Sequence, residues 1–145
     1  MWQRIQTLYM GLSCVLTLAM LLSNLAVLYS PEGEIAGEFS YAGHLPFLIL
    51  LIIILLLDLI ALSAYKHLVF QMRTAGLAAI ITLALQIWVG IVLLQGNQGW
   101  VFRLPAIFPT VCVILDVLAS RGILADILLV ESSDSLRKSR RSRRK

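Results

Sequence analysis

Two aspartates inside long apolar runs are the residues of this chain with the clearest capacity for chemistry. Asp58 lies in the run LPFLILLIIILLLDLIALS and Asp116 in the run FPTVCVILDVLAS. A carboxylate in the hydrocarbon of a membrane costs about 2.5–3.5 kcal/mol on insertion scales, so proton or ion handling is the functional interpretation of such a residue. In the structural interpretation, which we prefer, each carboxylate reaches the nearby boundary or pairs with a neighbouring cation. The cations available for that pairing are Arg4, Lys66, Arg73 and Arg121.

The remaining polar residues of the apolar runs indicate packing rather than a reaction centre. Gln86 is uncharged and predicts a hydrogen bond between helices. Cys14 and Cys112 are isolated in the sequence, so we predict inert buried thiols and no metal site. The chain has no Gly-x-Ser-x-Gly elbow, no His-Glu-x-x-His, no phosphate-binding glycine loop and no Cys-x-x-Cys. We therefore expect neither an enzyme nor a cofactor.

Four apolar segments position these residues. A span needs roughly 20 apolar residues to cross about 30 Å of hydrocarbon, and hydrophobic residues make up 59% of the 145 residues. The segments cover about residues 5–28, 45–65, 74–94 and 104–120. We predict an all-α integral membrane protein, with four transmembrane helices in a compact bundle that forms one domain over residues 1–130. The first segment is too long for a secretory signal and lacks a cleavage site, so it is interpreted as an uncleaved span.

The charges between the segments orient the predicted bundle. The first loop carries Glu32, Glu34 and Glu38 and no lysine or arginine, whereas the second carries Lys66 and Arg73 and the chain ends in a densely basic segment. Since short loops rich in lysine and arginine stay in the cytoplasm, both termini are predicted to be cytoplasmic and the acidic loop to lie outside. Part of that acidic loop, residues 34–41, alternates weakly between apolar and polar and favours a short hairpin.

Small and polar residues fall on one stripe of three predicted spans. Helices in lipid associate through close packing and interhelical hydrogen bonds, so these stripes predict the inward faces. Packing within the bundle, or against a partner subunit, explains them better than a ligand path. The stripes are Thr7, Gly11, Cys14, Thr17 and Asn24; Ala75, Ala79, Thr82, Gln86 and Gly90; and Cys112, Asp116 and Ala119.

After the fourth span the sequence predicts a short amphipathic extension and then a disordered tail. Residues 123–130 keep an apolar face and either prolong the fourth helix or lie along the membrane surface. Residues 131–145 hold too few apolar residues to fold and form a basic cytoplasmic tail. Attraction to anionic lipid, about 1 kcal/mol per basic residue, accounts for its charge. Contact with RNA, including the ribosome, is the less favoured alternative. The lipid-binding residues of the tail are Lys138, Arg140, Arg141, Arg143, Arg144 and Lys145.

Three short motifs resemble a known family. They are Gln3-Arg-Ile-Gln-Thr-Leu-Tyr9, then Tyr65-Lys66 with Gln71-Met-Arg73, and lastly Ser120-Arg-Gly-Ile123 followed by Asp126 and Leu136-Arg137. Together they resemble DUF4293, a bacterial family of small four-span membrane proteins with no assigned activity. The resemblance implies location in the bacterial inner (plasma) membrane. Where the family pattern has basic residues near positions 124 and 135, this chain has Leu124 and Ser135, so charge-based roles are not carried over there.

The family-like polar positions gather on the predicted cytoplasmic face, and they define our functional hypothesis. We expect a non-enzymatic accessory or scaffold subunit that docks there onto a protein partner or a second copy of itself. The alternative is a small oligomeric transporter coupled to protons or ions through Asp58 and Asp116. A further interpretation also stays open: these residues only fix the topology and anchor the protein at the membrane surface, and they bind no partner. The docking candidates are Gln3, Arg4, Gln6, Lys66, Arg73, Arg121, Asp126 and Arg137.

Overall fold

Four α-helices and a small sheet make up the computed structural model, which describes residues 2–95 and 100–143. In chain order the elements are α1 (Trp2–Leu21), β1 (Asn24–Tyr29), β2 (Ile35–Ser40), α2 (Leu45–Ser63), α3 (Leu68–Gln95), β3 (Trp100–Phe102), a 3-10 turn (Leu104–Ala106) and α4 (Phe108–Ser142).

Two of the helices are long and apolar enough to cross a membrane. Leu45–Ser63 in α2 has a mean hydropathy of 3.1, and Leu68–Val92 in α3 has a mean hydropathy of 2.2. The apolar part of α1, Ile5–Leu21, is shorter. α3 begins before the start predicted near residue 74, because residues 68–73 are mostly good helix formers and contain no glycine or proline. Proline occupies the first turn of both α2 and α4, where no amide donor is needed.

The first apolar segment does not remain helical to residue 28, and the prediction of an all-α fold is corrected accordingly. α1 ends at Leu21, and β1 follows at the centre of an antiparallel sheet of order β2-β1-β3. Val27 pairs with Glu38 on one side and Val101 on the other. Leu25, Ala26 and Val27 are fully buried. An apolar segment of this kind can form a buried strand as well as a helix. Pairing with β2 and with the distant β3 makes this one a strand.

The predicted strand character of residues 34–41 is confirmed by β2, although its partner is β1 rather than a segment within the same stretch. The connecting turn is closed by the Ser30 amide, which donates to the Glu34 carbonyl at 2.7 Å. Gly33 has a φ of 84°, a left-handed conformation that glycine adopts without steric cost.

The fourth helix is much longer than the predicted span. α4 is continuous from Phe108 to Ser142, so the residues predicted as a disordered tail are helical as far as Ser142. Residues 123–142 contain no glycine or proline, and lengthening an existing helix requires no new nucleation. Arg140 and Arg141 in the last turn also favour the negative end of the helix dipole. The tail residues Arg144 and Lys145 lie outside the described residues.

Each helix packs against its neighbour in the sequence, and α1 also packs against α4. One apolar cluster, which includes Met20, Phe47 and Leu85, lies beside the sheet. A second cluster, which includes Met10 and Ala119, lies toward the start of α1. The sheet is joined to the turn before α4 by the Tyr41 hydroxyl, which donates to the Pro105 carbonyl at 3.0 Å. The two predicted aspartates fall between these clusters along α2 and α4.

Replacing Ala119 with leucine is expected to lower the free energy of unfolding by about 1–3 kcal/mol, because larger side chains overpack a filled contact. Ala119 is fully buried in a cluster that also holds Ala61 and Ala75. The measurement is denaturant unfolding of the full chain in mild detergent. Ala125→Leu is the matched control, since Ala125 is exposed on the same helix; equal effects of the two changes would refute the tight contact.

Candidate functional site

Polar side chains are buried between the helices while large apolar side chains face outward. In α2 the buried residues include Asp58, which is 1% exposed, whereas Ile52 is 44% and Leu56 is 53% exposed. The other helices bury Ser13, Thr17, Thr82 and Asp116 and expose leucine and isoleucine in the same way. A water-soluble protein has the opposite distribution. This arrangement is typical of helices that meet lipid on their outer surface.

A polar cluster joins α1, α2 and α4 at the centre of the packed helices. The Ser13 hydroxyl donates to Asp58 Oδ2 at 3.3 Å, and the Thr17 hydroxyl donates to the Ser13 carbonyl at 2.9 Å. Cys112 Sγ of α4 lies 3.9 Å from that same carbonyl. We call Ser13, Thr17, Asp58, Cys112 and Asp116 the polar cluster. The structure therefore brings the two predicted aspartates to one place.

Three of the four carboxylate oxygens in the polar cluster have no hydrogen-bond partner in the described part of the chain. Asp58 Oδ1 and both oxygens of Asp116 are buried without a hydrogen bond to any of the described residues. The two carboxyl groups are also close enough to interact electrostatically. Two carboxylates in an apolar interior repel each other, so such a pair favours a bound proton or a small cation.

The predicted pairing of these aspartates with cations is not found for Lys66, Arg73 or Arg121. All three side chains are exposed at the surface, and the orphaned oxygens accept no hydrogen bond from them. The side chain of Arg4 lies outside the described part of the chain. The interhelical hydrogen bond predicted for Gln86 is also not made by its carbonyl oxygen, which is buried and unpartnered within the described ranges.

The two cysteines are separate thiols inside the packed helices. Cys14 and Cys112 are both free and buried. In the described ranges no group of three or more histidine, cysteine, aspartate or glutamate side chains is placed to hold a metal ion. Sequence reasoning missed Ser13, the hydrogen-bond donor to Asp58. Its spacing of four residues from Thr17 on one face of α1 was the available signal.

A second polar contact joins the start of α1 to the middle of α4. Gln6 Nε2 donates to Asp126 Oδ2 at 2.8 Å, and Gln6 is 5% exposed. Gly122 lies directly beneath this glutamine, since a Cβ at that position would be 3.0 Å from Gln6 Cγ. Two of the predicted docking residues, Gln6 and Asp126, are thus hydrogen-bonded to each other and join α1 to α4. We call this pair the Gln6–Asp126 clamp. Arg121 and Arg137 remain exposed, and the side chains of Gln3 and Arg4 are not among those described.

An open groove of about 1020 Å³ separates the start of α3 from the end of α4. Lys66 and Arg73 line one wall, and Glu131 and Asp134 line the other. Sequence reasoning missed this groove because it treated the segment that forms the second wall as disordered. The groove lies at the end of the molecule that carries the predicted cytoplasmic residues.

The profile described as Domain of unknown function (DUF4293) matches residues 2–136. The chain belongs to the DUF4293 family. No curated protein and no solved structure matches the chain. The range shared with DUF4293 contains the polar cluster, the Gln6–Asp126 clamp and most of the groove-forming part of α4. These features therefore lie in the region common to the family rather than in an appendage.

The clamp makes the effect of Gly122→Ala depend on Gln6. Alanine is favoured over glycine within a helix by about 1 kcal/mol, but its methyl group would displace the Gln6 side chain from Asp126. We expect Gly122→Ala to destabilise the protein when Gln6 is present and to stabilise it in a Gln6→Ala background. A double-mutant cycle of unfolding free energies measures this difference, which we expect to be about 1–2 kcal/mol. The same effect in both backgrounds would contradict the close approach.

Proposed function

We propose that this protein is a bacterial inner-membrane protein with four spans and cytoplasmic termini, which serves as a non-enzymatic accessory or scaffold subunit. α1, α2, α3 and the first half of α4 are the proposed spans. Support comes from the outward-facing apolar side chains of the helices and from the polar cluster between them. The positive-inside rule places the acidic turn between β1 and β2 outside and the basic end of α4 inside.

The observation that carries the scaffold role is the exposed end of α4. The helix has 35 residues and is about 52 Å long, whereas hydrocarbon is about 30 Å thick. From Leu128 to Arg143 every side chain is exposed. We call residues 128–143 the α4 extension. A helix that ends beyond the packed body, with leucines and many cations on its surface, is suited to dock on a protein partner or a second copy, with anionic lipid beside it.

Site-directed photo-crosslinking tests the docking role. A photoreactive residue replacing Ser133 in the full chain is expected to cross-link a discrete protein partner or a second copy in intact membranes. The same residue at Ala36 is the matched control, because Ala36 is exposed on β2 at the opposite end of the molecule. Recovery of the lone protein from both positions, in intact membranes and in mild detergent, would reject the scaffold role.

A second candidate function is proton- or ion-coupled transport through Asp58 and Asp116. Three of their buried oxygens have no hydrogen-bond partner within residues 2–95 and 100–143. This favours transport, because such groups in a membrane interior are found along ion pathways. With one small body of helices, a transport path would have to be lined by several copies. The test compares proton or cation flux in vesicles reconstituted with the wild type and with the Asp58→Asn/Asp116→Asn double variant. Flux that is absent from the wild type, or unchanged in the variant, rejects transport.

A further inference from the structure

The groove between α3 and the α4 extension has walls of opposite charge. Lys66 and Arg73 lie on the wall formed by the α2–α3 connection and the start of α3. Glu131 and Asp134 lie on the wall formed by α4, with Lys138 farther along the same helix. The α3 wall is therefore positive, whereas the α4 wall is negative at Glu131 and Asp134 and positive farther along, at Lys138.

The two walls do not neutralise each other. No hydrogen bond or ion pair joins Lys66 or Arg73 to Glu131 or Asp134 in the described parts of the chain. Lys66 Nζ lies instead above the ring of Tyr65, 5.7 Å from its centroid. These four charged groups are therefore free to bind a ligand that carries both signs of charge.

The groove also has an apolar part. Leu68, Phe70, Ile127 and Val130 line it between the charged walls, and Phe70 and Val130 are 52% and 55% exposed. A ligand that covers them must have an apolar portion next to its charged groups. Under the proposed orientation this region lies at the cytoplasmic boundary of the membrane, at the depth of the lipid headgroups.

We propose that the groove binds an ethanolamine phospholipid of the inner leaflet. Its phosphate lies against Lys66 and Arg73, its ammonium against Glu131 and Asp134, and the start of its acyl chains against the apolar part. The amide groups in the first turn of α3 add to the positive potential around the phosphate. A purely anionic headgroup would bring no cation to Glu131 and Asp134 and would place its own negative charge close to them.

This inference rests on the proposed membrane orientation, and it gives the docking face a defined lipid component. The lipid would fill the space between α3 and the α4 extension. It would thereby hold the extension at a fixed angle to the body, which prepares it for a partner.

Lipid competition on the full chain tests the inference. The protein is reconstituted into bilayer discs that contain equal amounts of phosphatidylethanolamine, phosphatidylcholine and phosphatidylglycerol. It is then released into mild detergent, and the retained lipids are identified by native mass spectrometry. We expect phosphatidylethanolamine to be retained about tenfold over phosphatidylcholine, because only a primary ammonium donates charge-assisted hydrogen bonds to the carboxylates.

Two groove variants and one control separate the contributions of the two walls to lipid binding. Glu131→Gln/Asp134→Asn is expected to remove the preference for ethanolamine over choline. Arg73→Gln is expected to weaken retention of both lipids and leave their ratio unchanged. Arg121→Gln is the control, since Arg121 is an exposed cation of α4 that does not line the groove. All four substituted positions are exposed, so the fold is expected to tolerate these changes, and unfolding curves verify this.

Each other outcome overturns the inference. Equal retention of ethanolamine and choline lipids, a preference for phosphatidylglycerol, or a preference that survives Glu131→Gln/Asp134→Asn would each reject it. These results leave the proposed membrane role intact if alkaline extraction shows the protein embedded in the discs. Release of the protein by alkali would instead reject the membrane role, and the lipid inference with it.

Discussion

Replacing Asp116 with leucine is expected to raise the free energy of unfolding, by about 1–3 kcal/mol. The carboxyl group is fully buried, and neither of its oxygens has a hydrogen-bond partner among the described residues. Removing an unsatisfied buried polar group in favour of an apolar one of similar shape relieves its desolvation penalty. The measurement is denaturant unfolding of the full chain in mild detergent.

The same substitution at Asp126 is the matched control, and its effect on the unfolding free energy is expected to have the opposite sign. Asp126 accepts the hydrogen bond from Gln6. Asp126→Leu therefore leaves a buried amide unpaired and is expected to lower the unfolding free energy by about 1–3 kcal/mol. If Asp116→Leu destabilised the protein as strongly as Asp126→Leu, Asp116 would have a structural partner, and the transport candidate would lose its main support.

A stabilising effect of Asp116→Leu would bear directly on function. A residue that destabilises the fold and has no structural partner is expected to be kept for binding a proton, an ion or a partner. Loss of function in a stabilised variant is a pattern that a purely structural aspartate would not produce.

Removing residues 131–145 is expected to abolish docking without loosening the body. The described residues of this segment, 131–143, are exposed along their whole length, so deletion removes no packing and should leave the unfolding free energy within about 0.5 kcal/mol of the wild type. Cross-linking from a second photoreactive position at Arg121, which the deletion leaves in place, is expected to fall at least about tenfold if the segment supplies the binding surface.

A charge variant separates the contribution of the basic side chains to docking from that of the other side chains of the α4 extension. Replacing Arg137, Lys138, Arg140 and Arg141 with glutamine keeps a helix-forming sequence but removes four cations. If anionic lipid alone holds the α4 extension, this variant should lose docking as fully as the deletion does. If a protein partner also contacts the leucines of the α4 extension, cross-linking to it should be reduced but not lost. Unchanged cross-linking in both variants would exclude the α4 extension as the docking surface.

The most apolar elements were predictable from the sequence alone. α2 and α3 lie where the apolar runs place them, because continuous runs of that length favour helices. Asp116 lies on the stripe predicted to face inward and is buried there, whereas Asp58, expected to reach the boundary or a cation, is buried as well. Their approach to each other was not predictable, because it depends on how the helices rotate against one another, and a single sequence does not show this.

Two elements escaped local reasoning for opposite reasons. β1 is as apolar as the helix before it, and only its pairing with β2 and β3 makes it a strand. The end of α4 is polar enough to suggest disorder, yet it continues a helix that is already formed by packing. The groove could not be predicted either, because one of its walls is formed by this segment, which the sequence predicts to be disordered.

The proposed orientation, with four spans and cytoplasmic termini, is tested most directly by cysteine labelling in intact bacterial cells. Ala36→Cys and Ser133→Cys place thiols at exposed positions at opposite ends of the molecule. Cys14 and Cys112 are buried and supply the wild-type background. A membrane-impermeant maleimide admitted to the periplasm is predicted to label the cysteine at position 36. It should reach the cysteine at position 133 only after the inner membrane is opened. Labelling of both positions in intact cells, or of neither until the inner membrane is opened, would contradict the four-span arrangement with cytoplasmic termini.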